Sequence, residues 1–387
     1  MNEDIAYIEA QSQGLQVQAA NQKLLQAELN ALLKTVSISL SQLQPLKESS
    51  LESPQGLDQI ERALVLLFKA MITIDPTLSS LSSSRVSEDD TSRSNKFGKF
   101  ENSDISSMRV LQEKKEMYKT ESTLFLRRLK PFLQVKFAAA FDECKKGLER
   151  QKESALNRRT GKNKLDPKSH DMTRNILWKY SPLMLFIREI DHVEWEEFMK
   201  IYVSASRPIY QEEARDAVAA WQRNAKKPSG DEHEVLFTSQ VEKQTEGIAT
   251  TARKLTVKRS QTLAKSLRSP LGDSGHRTPA DKGQDGRIYR YEVINNILDE
   301  IQPFIIAEQN FVVDFFHISS FETQDFVEAV SSVPADARHG GDLKKLKLMD
   351  PNRDFARKVL SSMQDEYSFF TSDMQQLVEW AIRDDPL

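Results

Sequence analysis

A chain of 387 residues is long enough for two or three ordinary domains, and 39% hydrophobic with 29% charged residues and 13 glycines favours helices with solvated outer faces over sheets. The net charge of −3 argues against bulk attraction to nucleic acid or acidic membranes, and the single Cys144 excludes an internal disulfide framework and points to a reducing compartment. No apolar run reaches the ~18–20 residues that span a bilayer, and no basic-then-apolar opening reads as a signal peptide. A cytoplasmic chain is expected.

Residues 1–45 read as a coiled-coil-type assembly helix. From Ile5 to Leu43 the side chains repeat every seven residues: Ile8, Leu15, Gln22, Leu29, Val36 and Leu43 share one position, and Gln11, Gln18, Leu25, Leu32 and Ser39 follow three residues later. On a helix these sets make one seam, and a seam of this period exists to be covered by another helix. Ile8, Leu15, Leu25, Leu29, Leu32 and Val36 are its apolar members. Its first half is mostly glutamine, which weakens self-association. The helix is expected to stop near Pro45.

Residues 46–76 form a helical connector. Ser53 caps it, Pro54 takes the first helical position, and Leu57, Ile60, Leu64, Leu67, Phe68 and Met71 repeat at helical spacing up to Asp75-Pro76. Residues 77–104 turn to serine and charge and are expected to be disordered.

Residues 105–225 read as a helical bundle. A long helix is predicted from about Ser106 to Leu156, kinked or interrupted at Pro131. Two or three helices follow between Met172 and Trp221, punctuated at Pro182 and Pro208. Asp191-His192-Val193-Glu194 reads as the solvated side of a helix whose other side carries Trp195 and Phe198, and Cys144 reads as an inert helical cysteine.

Residues 226–287 form a second linker expected to be disordered. Between Arg253 and Arg290 ten basic residues stand against Asp273, Asp281 and Asp285. Lys254, Lys258, Arg259 and Lys265 are candidate contacts to anionic lipid, each charge adding ~1 kcal/mol near such a surface. Ser260, Ser269 and Thr278 are candidate phosphorylation sites, where a phosphate would reverse the local charge. Residues 288–387 make a last helical bundle, opened by Val293, Ile297, Ile301 and Phe304. Phe311, Phe315, Phe316, Phe321 and Phe326 are read as core, with Phe321 off the helical face and available to an interface. Strand alternation with tight hairpins is almost absent, so the fold class is all-α.

Enzyme signatures fail on spacing. His233-Glu234 starts a zincin-like pattern, but Phe237 stands where the second histidine belongs, and Gly161-Lys162 lacks the glycine that a phosphate-binding loop needs. No catalytic residue, cofactor or metal site is expected.

The segments IAYIEAQSQGLQVQAANQKLLQAELNALLKTVSIS and LQPLKESSLESPQGLDQIERALVLLFKAMITIDP resemble the end of the coiled-coil region of the exocyst subunit Sec-three, in its fungal form. AEQNFVVDFFHISS, DFVEAV, GGDLKKLKLMDPNRDFARKVLSSM and DMQQLVEWAIRDDPL resemble the helical core of the same family. The resemblance implies a non-catalytic subunit of the complex that tethers secretory vesicles to the plasma membrane before fusion, built as a rod of stacked helical bundles. It implies other exocyst subunits as partners and sites of polarised secretion as the location. The family's pleckstrin-homology domain, which binds phosphoinositides and Rho-type GTPases, would precede Ile5, and further bundles would follow Leu387. A helical module that binds phosphoinositide membranes through residues 253–290 is the alternative expectation.

Overall fold

The computed structural model describes residues 2–75, 108–157, 165–225, 288–322, 324–341 and 343–383, with the backbone alone at 2–12 and 154–157. The helices are α1 (Asn2–Val36), α2 (Leu40–Glu48), α3 (Pro54–Ile74), α4 (Arg109–Asn157), α5 (Asp171–Trp178), α6 (Ser181–Ile190), α7 (His192–Arg223), α8 (Arg290–Phe315), α9 (Phe326–Ser332), α10 (Arg353–Glu366) and α11 (Ser368–Arg383). The all-α reading holds. Among the described residues, the only β pairing is an isolated bridge between Ala225 and Ile288. No described helix is long and apolar enough to cross a membrane.

Three prolines act differently from the sequence expectation. The first helix ends at Val36, and Pro45 lies inside α2. The break comes earlier because Ser39 and Gln42 form a capping box that starts a new helix, whose Leu43 and Leu46 are buried. The heptad stretch therefore spans two helices, and Leu43 belongs to the chain's own core. Pro131 and Pro208 lie inside α4 and α7, which run on through them. Leu129 and Leu133 flank the first, and Ile209 and Tyr210 follow the second; all are buried, so packing outweighs the lost backbone hydrogen bond. Pro182 opens α6 as expected, and Pro54 opens α3 behind Ser53, whose hydroxyl accepts from Gly56 N at 3.1 Å.

The chain divides into two compact units, one of residues 1–214 with 300–371 and the other of 215–299 with 372–387. In the first unit α3 buries Leu57, Ile60, Leu64, Leu67, Phe68 and Met71, the stripe its sequence shows. Phe68, Phe125, Phe186 and Phe326 bring α3, α4, α6 and α9 into one aromatic cluster. Nearly every residue of α6 is buried. A second cluster joins Phe137 and Phe141 of α4, Tyr202 of α7 and Phe311 and Phe315 of α8. Segments from both 105–225 and 288–387 thus share one core.

In the second unit Arg215 pairs with Asp373 at 2.8 and 3.2 Å. Arg290 donates to the Trp380 carbonyl at 3.0 Å with its guanidinium 4.9 Å from the indole centroid. Ile288 N donates to Asn224 O at 3.4 Å.

Candidate assembly helix and its anchor

Among its described side chains, α1 is tied to the rest of the first unit at its C-terminal end. Val36 is buried there, and Tyr118 of α4, itself fully buried, donates its hydroxyl to the Val36 carbonyl while accepting from Ile38 N at 3.1 Å. One phenol thus serves both backbone groups at the end of α1, which also meet each other at 3.2 Å.

Upstream of this anchor the described part of the seam, from Leu15 to Leu29, is exposed. Leu15, Leu25 and Leu29 are 61%, 47% and 42% exposed, and Leu32 is half-buried. At about 100° per residue these four and Val36 fall within roughly a 100° arc, so the seam runs straight out of the core onto an uncovered helix face. Leu33 lies at the edge of that arc and is also exposed. Of the six predicted seam residues, the structure places Val36 in the chain's core, Leu32 at its margin and Leu15, Leu25 and Leu29 outside it. Ile8 lies among the residues whose side chains are not described. Leu46, Leu51 and Ile60, beyond the anchor, are all buried.

Lys254, Lys258, Arg259 and Lys265, with Ser260, Ser269 and Thr278, lie outside the described residues, as do the two linkers. Asp191 and His192 take structural roles. The Asp191 carboxylate accepts from Val193 N and Glu194 N at 3.1 Å, and His192 stacks on Trp195 with ring centroids 4.8 Å apart. Phe321 is 58% exposed, off the core as its position suggests.

Sequence reasoning missed the ionisable cluster buried between α4, α5, α7, α8 and α10. Arg174 donates from Nε and Nη2 to Glu308 Oε2 at 3.1 and 3.0 Å, and both residues are almost fully buried. Tyr202 and Tyr210 donate their hydroxyls to the two oxygens of the same carboxylate. Burial and the Glu308 charge hold both phenols well above their usual pKa. Beside them His170 meets Cys144 Sγ at 3.3 Å through Nδ1 and the Glu213 carboxylate through Nε2. Burial opposes its charge, but the bonds to Cys144 and Glu213 outweigh that and lift the imidazole to about 9. Glu366 bonds to Ser206, and its burial and the nearby Glu308 push its carboxyl well up.

Thiol, imidazole and carboxylate are in line here, yet Cys144, His170 and Glu213 are all buried and both imidazole nitrogens are engaged. The arrangement fixes five helices to one another. The only signal in sequence was that Arg174 and Glu308 fall on otherwise apolar helix faces. Among the described residues no group of three or more His, Cys, Asp or Glu side chains is placed to hold a metal ion.

Comparison with known proteins falls on the anchor helix and the opposite end of the chain. Residues 1–73 match a family model described as exocyst complex component Sec3, coiled-coil, and residues 315–387 match the C-terminal model of the same component. The chain is Sec-three-like. The first match of this Sec-three-like chain covers α1, α2 and α3, so the bare seam and its anchor lie within the coiled-coil family region. The chain is also 24% identical over 190 residues to exocyst complex component 1 of Mus musculus, covering 46% of the chain. It aligns with about a fifth (21%) of that relative's length. No solved structure matches.

Proposed function

We propose that the chain is a non-catalytic subunit of the exocyst, which tethers secretory vesicles to the plasma membrane before fusion, and that α1 is the helix through which it joins neighbouring subunits. The observation that carries this reading is the exposed stripe Leu15, Leu25 and Leu29, continuous with buried Val36, inside the region that resembles the Sec-three coiled coil. Such a stripe gains its stability only when partner helices cover it, in the manner of a knob-and-hole bundle. Partner helices would bury ~1.5–3 kcal/mol of side chain at each leucine. Gln11, Gln18 and Gln22 favour a mixed bundle in which amides find partners over a self-paired dimer.

On this reading residues 1–45 are the assembly region, and the helices packed behind the Tyr118 anchor supply rigidity. The work is binding and spacing between two membranes, at sites of polarised secretion on the cytoplasmic face of the plasma membrane. The direct test is co-purification of the other exocyst subunits with Leu25→Asp/Leu29→Asp. These two positions are chosen because both are exposed, whereas Leu32 is half-buried against the chain itself. Loss of at least tenfold in recovered subunits, with helicity retained, is expected. Full recovery would refute the proposal.

A further inference from the structure

Where α8 gives way to α9, the first unit holds a cavity of about 410 Å³, at the small end of sites that take a ligand. Its apolar walls are Trp178 of α5, Pro182 of α6, Val313 of α8, Phe321 of the following loop, Ala329 of α9 and Val333 just beyond it.

These walls are fastened to one another. His317, two residues past α8, has a φ of 57°, a left-handed conformation that persists in a non-glycine residue only where contacts fix it. Its Nε2 meets the Ser181 carbonyl at 3.0 Å and the Ser181 hydroxyl at 2.9 Å, and its Nδ1 meets the Glu322 carboxylate. Arg188 donates to the His317 carbonyl and pairs with Glu322 at 3.3 Å. Ser320 N donates to Asp350 at 2.6 Å. Phe321 is therefore pinned from the residue on either side, and a preformed pocket loses little entropy when it binds.

The charges that line the cavity are already matched. Asp314 holds Lys347, Glu322 holds Arg188 and His317, and Arg338 grips Glu61. The hydroxyls of Ser181, Ser319 and Ser332 each have a bond within the fold. A ligand with a net charge would bury it here without a partner, which is costly. Two polar side chains of the lining are left over. The Trp178 indole N–H has no acceptor among the described residues, although its ring packs on Phe311 at 5.8 Å between centroids. The amide of exposed Gln324 likewise has no partner among them. An indole N–H calls for a carbonyl oxygen, and a carboxamide offers both donor and acceptor, so the pair matches amide groups.

We propose that this cavity binds an uncharged residue of an extended peptide, its large apolar side chain set against Trp178 and Phe321 and its backbone amides matched to the Trp178 N–H and the Gln324 carboxamide. Protein partners use such places: the residues that dominate binding are aromatic and sit in desolvated pockets. The site goes beyond assembly through α1 and does not depend on it.

The probe is N-acetylphenylalaninamide, titrated at about pH 6 into the full chain labelled with nitrogen-15, the Trp178 indole resonance being assigned from Trp178→Phe. That resonance should move saturably while those of the other three tryptophans stay in place. At this pH N-acetylphenylalanine is an anion and phenylalaninamide a cation, and both should bind at least tenfold more weakly. Ala329→Leu, which fills the cavity, should abolish the shift with helicity unchanged. Gln324→Leu, at an exposed position, should weaken binding about fivefold. A capped tripeptide with alanine on both sides of the phenylalanine should bind at least as tightly as the single residue. The proposal is overturned if the Trp178 resonance does not move, if either charged analogue binds as well as the neutral one, or if Ala329→Leu or Gln324→Leu leaves binding unchanged. Binding of the single residue but not of the tripeptide would make the cavity a small-molecule site and overturn it too.

Discussion

Arg338 grips Glu61 through two hydrogen bonds, at 2.5 and 2.8 Å, across 277 residues of sequence. Glu61 belongs to α3 in the coiled-coil match, and Arg338 to the loop after α9 in the C-terminal match, so one buried ion pair joins the two Sec-three-like segments within one unit. The guanidinium also donates to the carbonyls of Val333 and Lys179 at 3.0 Å. Every strong contact it makes is to an acceptor fixed by the fold.

Arg338→Ala should therefore destabilise the chain by about 3–5 kcal/mol, because it strands the Glu61 carboxylate in the core and frees two carbonyls. Urea unfolding followed by far-ultraviolet circular dichroism measures this. Arg338→Lys should recover only part of it, since an ammonium cannot match both carboxylate oxygens. A loss below 1 kcal/mol for the alanine would mean that the pair is not holding the segments together.

Much of the fold was legible in the stripe of α3, where each apolar residue named from sequence is buried, and in Ser53-Pro54, where cap and helix start coincide. Proline was the weaker guide. Pro131 and Pro208 read as breaks because local propensity penalises them, yet each lies in a helix whose flanking side chains are buried, and tertiary packing decides. The seam showed its period but not which part was covered. Val36 and Leu29 occupy the same heptad position, and the placement of α3 and of Tyr118 against the end of α1 makes one core and leaves the other at the surface. Arg174, Glu308, Glu61 and Arg338 were illegible for a related reason: a charged residue is assigned to solvent until its partner, distant in sequence, is placed beside it.

The His170 linkage gives a pH dependence of definite sign. Its folded-state pKa, about 9, lies above the ordinary 6.5, so the stability it contributes is fully present below pH 6.5 and lost as pH rises through about 9. The effect is on the order of 3 kcal/mol. The facing groups are Cys144, Glu213 and the ring of Tyr210, whose centroid lies 4.6 Å from that of the imidazole. Unfolding midpoints should fall between pH 7 and pH 9.5, roughly flanking that value. Glu213→Gln should flatten the slope by removing the charge that holds the proton. An unchanged slope in that variant would assign the pH dependence to other groups.

Glu366 should behave in the opposite way under substitution. Its carboxyl is held well above 4.5 by burial and by the Glu308 charge, with Arg174, His170 and the Ser206 bond opposing. A raised acid favours the folded state at low pH and loses that advantage as pH climbs past 4.5. Glu366→Gln keeps the shape and removes the ionisation. It should be near neutral at about pH 4.5 and increasingly stabilising as the pH rises towards 8. Thermal melts of both proteins across that range would show it, and a variant less stable than the parent at every pH would contradict the protonated reading.

The anchor and the seam of α1 separate cleanly by stability. Leu25→Asp and Leu29→Asp alter residues that stand in solvent, so each should change the unfolding free energy by less than about 0.5 kcal/mol. Tyr118→Phe removes one oxygen that serves both Val36 O and Ile38 N, leaving them only their bond to each other at 3.2 Å, and should destabilise by roughly 1 kcal/mol. Val36→Asp should do more, because it buries an unpaired charge where the seam enters the core. Urea titrations of the four variants decide the matter. If the leucine variants were as destabilising as Tyr118→Phe, the exposed stripe would be packed within the chain itself, and α1 would have no open face to offer a partner.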